Sequence, residues 1–175
     1  MKYTTVEIKT LGVDIKMVVV YESKTGFTKR YADMLASKTG MKFYSVKEFL
    51  EQKKNDEIIF LGWMKAGQIQ GLKKLKNHNV KAVCTSGTAK TAEPDLETVI
   101  SRNNIHGKPF FYLRGGCLPL KDLKGFDKIL MSMFVKMLKK STDKDYSETI
   151  SNIENGFNGV KEENLTPIFK WLKII

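Results

Sequence analysis

The stretch Val18-Val19-Val20-Tyr21-Glu22-Ser23-Lys24-Thr25-Gly26-Phe27-Thr28 decides the fold. The apolar run Met17–Tyr21 reads as a buried strand, because a strand covered on both faces has no reason to alternate. A short loop of hydroxyls and one glycine follows, and then Tyr31, Met34 and Leu35 fall at helical spacing. Strand, hydroxyl-and-glycine loop and helix together make an anion site. N–H groups in the first turn of a helix lack intrahelical acceptors, and the helix dipole adds partial positive charge there. Gly26 can take a positive φ and let the backbone approach a phosphate, while Ser23, Thr25 and Thr28 carry hydroxyl donors. The alternative is an ordinary strand-to-helix turn rich in capping residues.

Ser23-x-Thr25-Gly26-x-Thr28 lacks the Gly-x-Gly-x-x-Gly of dinucleotide loops and the Gly-Lys-Ser/Thr of Walker loops. It resembles the phosphate loop with which flavodoxins hold flavin mononucleotide (FMN), with Lys24 and Phe27 at the variable positions. The rest of the chain has the rhythm such a fold needs. Further strands are expected at Met41–Tyr44, Glu57–Gly62, Lys81–Thr85 and Pro109–Leu113. Helices are expected over 27–37, from the capping box Ser45-Val46-Lys47-Glu48 to about Glu51, around 73–76, over 94–102 with Pro94 in the first turn, and after Thr166-Pro167 as N-cap and N1. This alternation predicts an α/β, three-layer, doubly wound five-stranded parallel sheet, flavodoxin-like, in the order 2-1-3-4-5.

Such sheets bind ligands beyond the carboxyl ends of strands one and three, where the order reverses. The loop after strand three should therefore also look like a site. Gly62-Trp63-Met64-Lys65-Ala66-Gly67 sets a large aromatic among glycines, and Trp63 could stack on a planar ring. A Trp packed at the sheet edge is the competing explanation. After strand four, Thr85-Ser86-Gly87-Thr88 offers small groups that could line the ring and its ribityl chain. Many flavodoxins carry a second stacking Tyr there. This chain has none in that loop, which would leave one face open to a substrate.

Composition limits the alternatives. At 175 residues, 42% hydrophobic and 28% charged, the chain is ordinary for a globular protein. No run of eighteen uncharged apolar residues is present. Two cysteines, Cys84 and Cys117, and two histidines, His78 and His106, show no metal-ligand spacing, so no metal is expected. A cytoplasmic protein with two reduced thiols is expected. The formal charge of +11 implies attraction to something anionic. Electron-carrying flavodoxins are characteristically acidic, and this chain departs from them.

The charge is concentrated. Residues 108–144 hold nine Lys/Arg and three Asp/Glu. Within them, Phe126–Lys140 reads as a basic amphipathic helix containing Met131, Met133 and Met137. It fits either a crossover helix on the sheet or a helix for a membrane surface or partner, and would place the protein peripherally at the membrane. The run Gly115-Gly116-Cys117-Leu118-Pro119-Leu120, then Phe126-Asp127-x-Ile-Leu-Met, then 137–143, is similar to the insertion of menaquinone-dependent protoporphyrinogen dehydrogenases. Those are flavodoxin-like enzymes with an affinity for membrane quinone. The loop at 62–67 and the tail after Asp145 match that family poorly.

The resemblance implies FMN, a flavodoxin-like fold and quinone-linked redox chemistry with a small-molecule reductant. The chain then reads as one domain over 17–175 with a basic helical insert at about 114–144, and residues 1–16 as an added or misassigned start. Residues 141–165 read as a loop-rich connection. No general acid or base stands out. The alternative function is a flavodoxin-type electron carrier serving a redox partner protein. Nucleic-acid binding is not expected, because the lysines are not interleaved with aromatics on a strand face.

Overall fold

The computed structural model describes residues 16–52, 55–141 and 145–175, so the expectation for residues 1–16 falls almost wholly outside the described residues. Two compact units emerge: one contains the chain up to Gly115 and again from Val160, the other is Gly116–Gly159.

The first unit begins with β1 (Met17–Tyr21), α1 (Phe27–Thr39), β2 (Phe43–Ser45), α2 (Val46–Glu51), β3 (Glu57–Lys65) and β4 (Gln68–Ile69). A 3₁₀ turn at Leu72–Leu75, β5 (Val80–Gly87), α3 (Leu96–Arg102) and β6 (Phe110–Arg114) follow. The five long strands are parallel and ordered β2-β1-β3-β5-β6, with β4 an antiparallel arm on β3. That is the expected doubly wound order, in which β1 and β3 flank the point of reversal.

Period-two alternation sorts the apolar runs between two cores. Val19, Ile59, Leu61, Ala82 and Cys84 face Tyr31, Ala32 and Leu35 of α1. Val18, Val20, Ile58, Phe60 and Val83 face Val46 and Phe49 of α2, Leu75, and Val99 of α3. One register shift, between Ile58 opposite Val80 and Ile59 opposite Ala82, skips Lys81 and keeps the faces of β5 in phase. Gly40 ends α1 in the left-handed conformation, its N–H bonded to Ala36 O. The capping box of α2 forms in full: Glu48 N–H donates to Ser45 Oγ, and Ser45 N–H donates to Glu48 Oε2.

Three local expectations are corrected. The segment after β3 makes no α-helix around 73–76; Leu72–Leu75 form a single 3₁₀ turn, because the chain before them is spent on the β4 arm. Helix α3 is capped by Asp95, whose carboxylate accepts from Thr98 N–H, so Pro94 lies outside it. The connection 141–165 is more structured than its Asn and Gly content suggests.

The second unit contains β7 (Gly116–Cys117), α4 (Gly125–Lys140), α5 (Ser147–Asn155) and β8 (Phe157–Asn158). β7 and β8 pair antiparallel. Val135 and Leu138 of α4 pack on Ile153 of α5, with Met131, Tyr146 and Ile150 around them. Gly156 keeps this turn compact, since a Cβ there would stand 2.7 Å from Pro119 Cδ. Back in the first unit, a 3₁₀ turn at Glu162–Leu165 feeds α6 (Thr166–Trp171). Thr166 is thereby already helical rather than the cap. Leu165, Ile168 and Phe169 complete the core on the α1 side.

Candidate functional site

β1 hands over to α1 through residues 22–26. Glu22 N–H donates to Leu61 O at 2.9 Å, which holds the start of this loop against β3. Gly26 is the N-cap of α1 at φ +89°, where a Cβ would meet nothing within 4 Å. The backbone thus presents an open concavity, and the left-handed conformation that forms it favours glycine. Gly26 N–H donates to Ser23 Oγ at 3.1 Å, which leaves the Ser23 hydroxyl proton directed elsewhere. The first turn holds no acidic residue and no side-chain cap. A 13-residue helix therefore points uncompensated N–H groups at this loop.

Ser23 and Gly26 border a cleft of about 450 Å³ that also collects Lys29 from α1, Lys47 from α2 and Lys74 from the 3₁₀ turn. The lysines sit on three separate elements, so no local sequence signal groups them. Glu22 opposes part of this charge through its ion pair with Lys74 at 3.2 Å. The remaining loop residues do other things. Thr28 is buried, and its Oγ1 shares a 2.7 Å hydrogen bond with Ser86 Oγ on β5, tying the first loop to the third. Thr25 is exposed. The ammonium of Lys24 lies 5.6 Å from the centroid of the Trp63 ring.

The stretch expected as a loop after strand three is instead the end of β3 and a hairpin. Trp63 is half-buried on β3 beside Ser86 of β5, and its C=O accepts from Gln70 N–H. Gly62 is required by packing: a Cβ there would stand 2.6 Å from Gln70 O. Lys65 pairs with Gln68 around Ala66 (φ +49°) and Gly67 (φ +75°). Two successive positive φ values make the mirror-image turn that suits strand twist, but for Ala66 they cost roughly 1–2 kcal/mol. Two residues at the end of α3 hold the turn. Arg102 Nη1 donates to Ala66 O at 3.1 Å, and Asn103 Nδ2 donates to Gly67 O at 2.8 Å while its Oδ1 accepts from Ile69 N–H.

Across from this turn, β5 runs on to Gly87. A second cleft, of about 490 Å³, opens between Met64, Ala66 and Gly67 on one side and Gly87 and Thr88 on the other. Five expected residues thus converge on one space. Gly62, Trp63, Lys65, Thr85 and Ser86 do not line it, although they adjoin it in sequence. The remaining lining comes from Ala89, Glu93, Pro94, Arg102 and Tyr112. Tyr112, on β6, supplies an aromatic where the 85–88 loop has none. Its hydroxyl donates to Ala89 O at 2.8 Å and lies where a Cβ on Gly87 would collide with it, at 2.5 Å. Burial, with Glu93 adding to it, pushes the Tyr112 phenol up to about 12. Thr85 Oγ1, outside this lining, is buried with no hydrogen-bond partner among the described residues.

Neither thiol suggests chemistry. Burial pushes Cys84 far above the ordinary thiol range and raises Cys117 as well. Among the described residues no cluster of three or more His, Cys, Asp or Glu could hold a metal ion, and no helix is long and apolar enough to cross a membrane.

No curated protein matches the chain significantly. A family model for the flavodoxin domain matches residues 18–145, nearly three quarters of the sequence, and spans both clefts. Domains of this family generally bind FMN. With the strand order and the loop after β1, this match shows that the chain belongs to the flavodoxin domain family.

Proposed function

We propose that this chain binds FMN and acts as an oxidoreductase. The observation that carries the reading is the pairing of an open, left-handed Gly26 at an uncapped helix N-terminus with a second cleft between the ends of β3 and β5. The residues present fit a mononucleotide with a planar ring. Phe27, Thr28 and Lys29 N–H groups, the Ser23 hydroxyl and Lys29 suit a phosphate dianion. The Met64, Ala66–Gly67 and Gly87–Thr88 walls suit a flat heterocycle. Tyr112 is the aromatic side chain of this cleft that could contact the ring.

FMN supplies reversible one- and two-electron chemistry. The chain's own groups bind and orient. The first loop fixes the phosphate. Arg102 and Asn103 fix the turn that borders the ring cleft. The neutral Tyr112 phenol holds the 87–89 loop at physiological pH. No residue is assigned as a general acid or base.

The finer reading is quinone-linked oxidation of a small reductant, related to protoporphyrinogen dehydrogenation. The insert's similarity to those enzymes supports it. The competing reading is a carrier that exchanges electrons with a partner protein. Steady-state assays of the FMN-loaded protein with a menaquinone analogue and candidate reductants separate them. Multiple turnovers are expected. Electron exchange confined to a protein partner, with no turnover of any small molecule, would replace the enzyme reading by the carrier.

A further inference from the structure

Helix α4 carries two apolar stripes. One is used: Met131, Val135 and Leu138, at i, i+4 and i+7, pack against α5. The other is not. Phe126, Ile129, Leu130, Met133, Phe134 and Met137 recur at three- and four-residue steps along one side, and all six are exposed, Phe126 by 71% and Met133 by 63%. The stripe runs from Phe126 to Met137, about 17 Å of the 16-residue helix. Proteins that work alone in water rarely leave so large a contiguous apolar patch open.

The edge of this stripe is basic. At 100° per residue, Lys136 and Lys140 fall directly beside Ile129 and Met133, and both are exposed. Lys124 caps the helix start. Lys128 and Lys139 lie further round, where Lys139 is tied to Glu154 at 2.6 Å. The one acid on the helix is Asp127, at the opposite edge near Phe134. An occupant must therefore offer apolar depth over about 17 Å and negative charge along one side. A second copy of α4 in a twofold pairing offers the same lysines again.

We propose that α4 lies in the surface of an anionic lipid bilayer. The six apolar side chains would enter the boundary between headgroups and acyl chains, and the lysine stems would extend along them to reach lipid phosphates. Met133 and Met137 let the surface adapt to irregular chains. The proposal stands apart from the flavin reading, since it needs nothing from either cleft.

Cosedimentation of the full chain with vesicles tests it. The protein is expected to pellet with phosphatidylcholine vesicles containing phosphatidylglycerol, and to be released by raised salt. Pure phosphatidylcholine should retain little. Lys136→Gln with Lys140→Gln should weaken the partition roughly 25-fold at low ionic strength, about fivefold per lysine. Ile129→Glu with Met133→Glu should abolish it. All four positions are exposed, so unchanged far-UV circular dichroism and FMN titration are expected. No binding by the wild type would overturn the proposal, as would binding that both double variants retain. A concentration-dependent dimer that Met133→Glu dissociates, seen by ultracentrifugation without lipid, would also overturn it in favour of self-association.

Discussion

Asn103→Ala probes the link between the α3 terminus and the candidate ring cleft. The Asn103 side chain makes three hydrogen bonds: Oδ1 accepts from Ile69 N–H, and Nδ2 donates to Gly67 O and to Val99 O, each at 2.8 Å. A net value of about 1 kcal/mol per bond gives roughly 3 kcal/mol for the three. The figure is not reduced much by solvent, because Ile69 is buried and its N–H would lose its partner. In this chain that loss should lower Tm by roughly 6–12 °C. Urea unfolding followed by circular dichroism is the assay, with an unchanged m-value showing that the change lies in stability. Asn103→Asp keeps the acceptor for Ile69 but loses both donors, and should fall between Ala and wild type unless repulsion from Gly67 O and Val99 O exceeds the bond that is kept. Exposed Ser101→Ala serves as control. A loss of less than about 1 kcal/mol for Asn103→Ala would refute the claim that this side chain holds the strained Ala66–Gly67 turn.

Gly26→Ala meets no steric obstacle, so its stability cost should be limited to the left-handed backbone penalty of about 1–2 kcal/mol. Its FMN affinity should fall much further, by tenfold or more in a fluorescence titration. Gly87→Ala should destabilise by about 1–3 kcal/mol through collision with Tyr112. Adding Tyr112→Phe, which removes the clashing hydroxyl, should recover part of that loss, and a double-mutant cycle in urea reads the coupling. The raised Tyr112 phenol also sets a pH dependence. The unfolded chain releases the proton near 10 and the folded chain near 12, so the contribution is intact below 10 and is lost as pH rises toward 12. Urea midpoints should fall across that window, less steeply in Tyr112→Phe; Tyr21 and Tyr31, also raised by burial, sustain the remainder.

The parts of the fold legible in the sequence were those set by local chemistry. Unbroken apolar runs in β1 and β3 mark strands covered on both faces, and Gly40 and the Ser45–Glu48 box mark helix ends. The phosphate-type loop was legible because strand, glycine and helix start are adjacent in the chain. The hairpin at Ala66–Gly67 was not, because alanine is a poor occupant of a positive φ. The long-range bonds from Arg102 and Asn103 hold it there. Helix α5 was obscured by its asparagines, although Tyr146, Ile150 and Ile153 keep helical spacing. Lys29, Lys47, Lys74 and Tyr112 reach the clefts from four elements, and only the assembled sheet brings them near the loops.

The reading of the first loop as a phosphate site is tested most directly by comparing FMN with riboflavin, which differ only in the phosphate. Calorimetric titration of the flavin-free protein should give an FMN Kd at or below about 1 μM and a riboflavin Kd at least about 100-fold weaker, the gap expected when several charge-assisted hydrogen bonds are lost together. Equal affinities for the two, or no FMN binding by protein that circular dichroism shows to be folded, would contradict it.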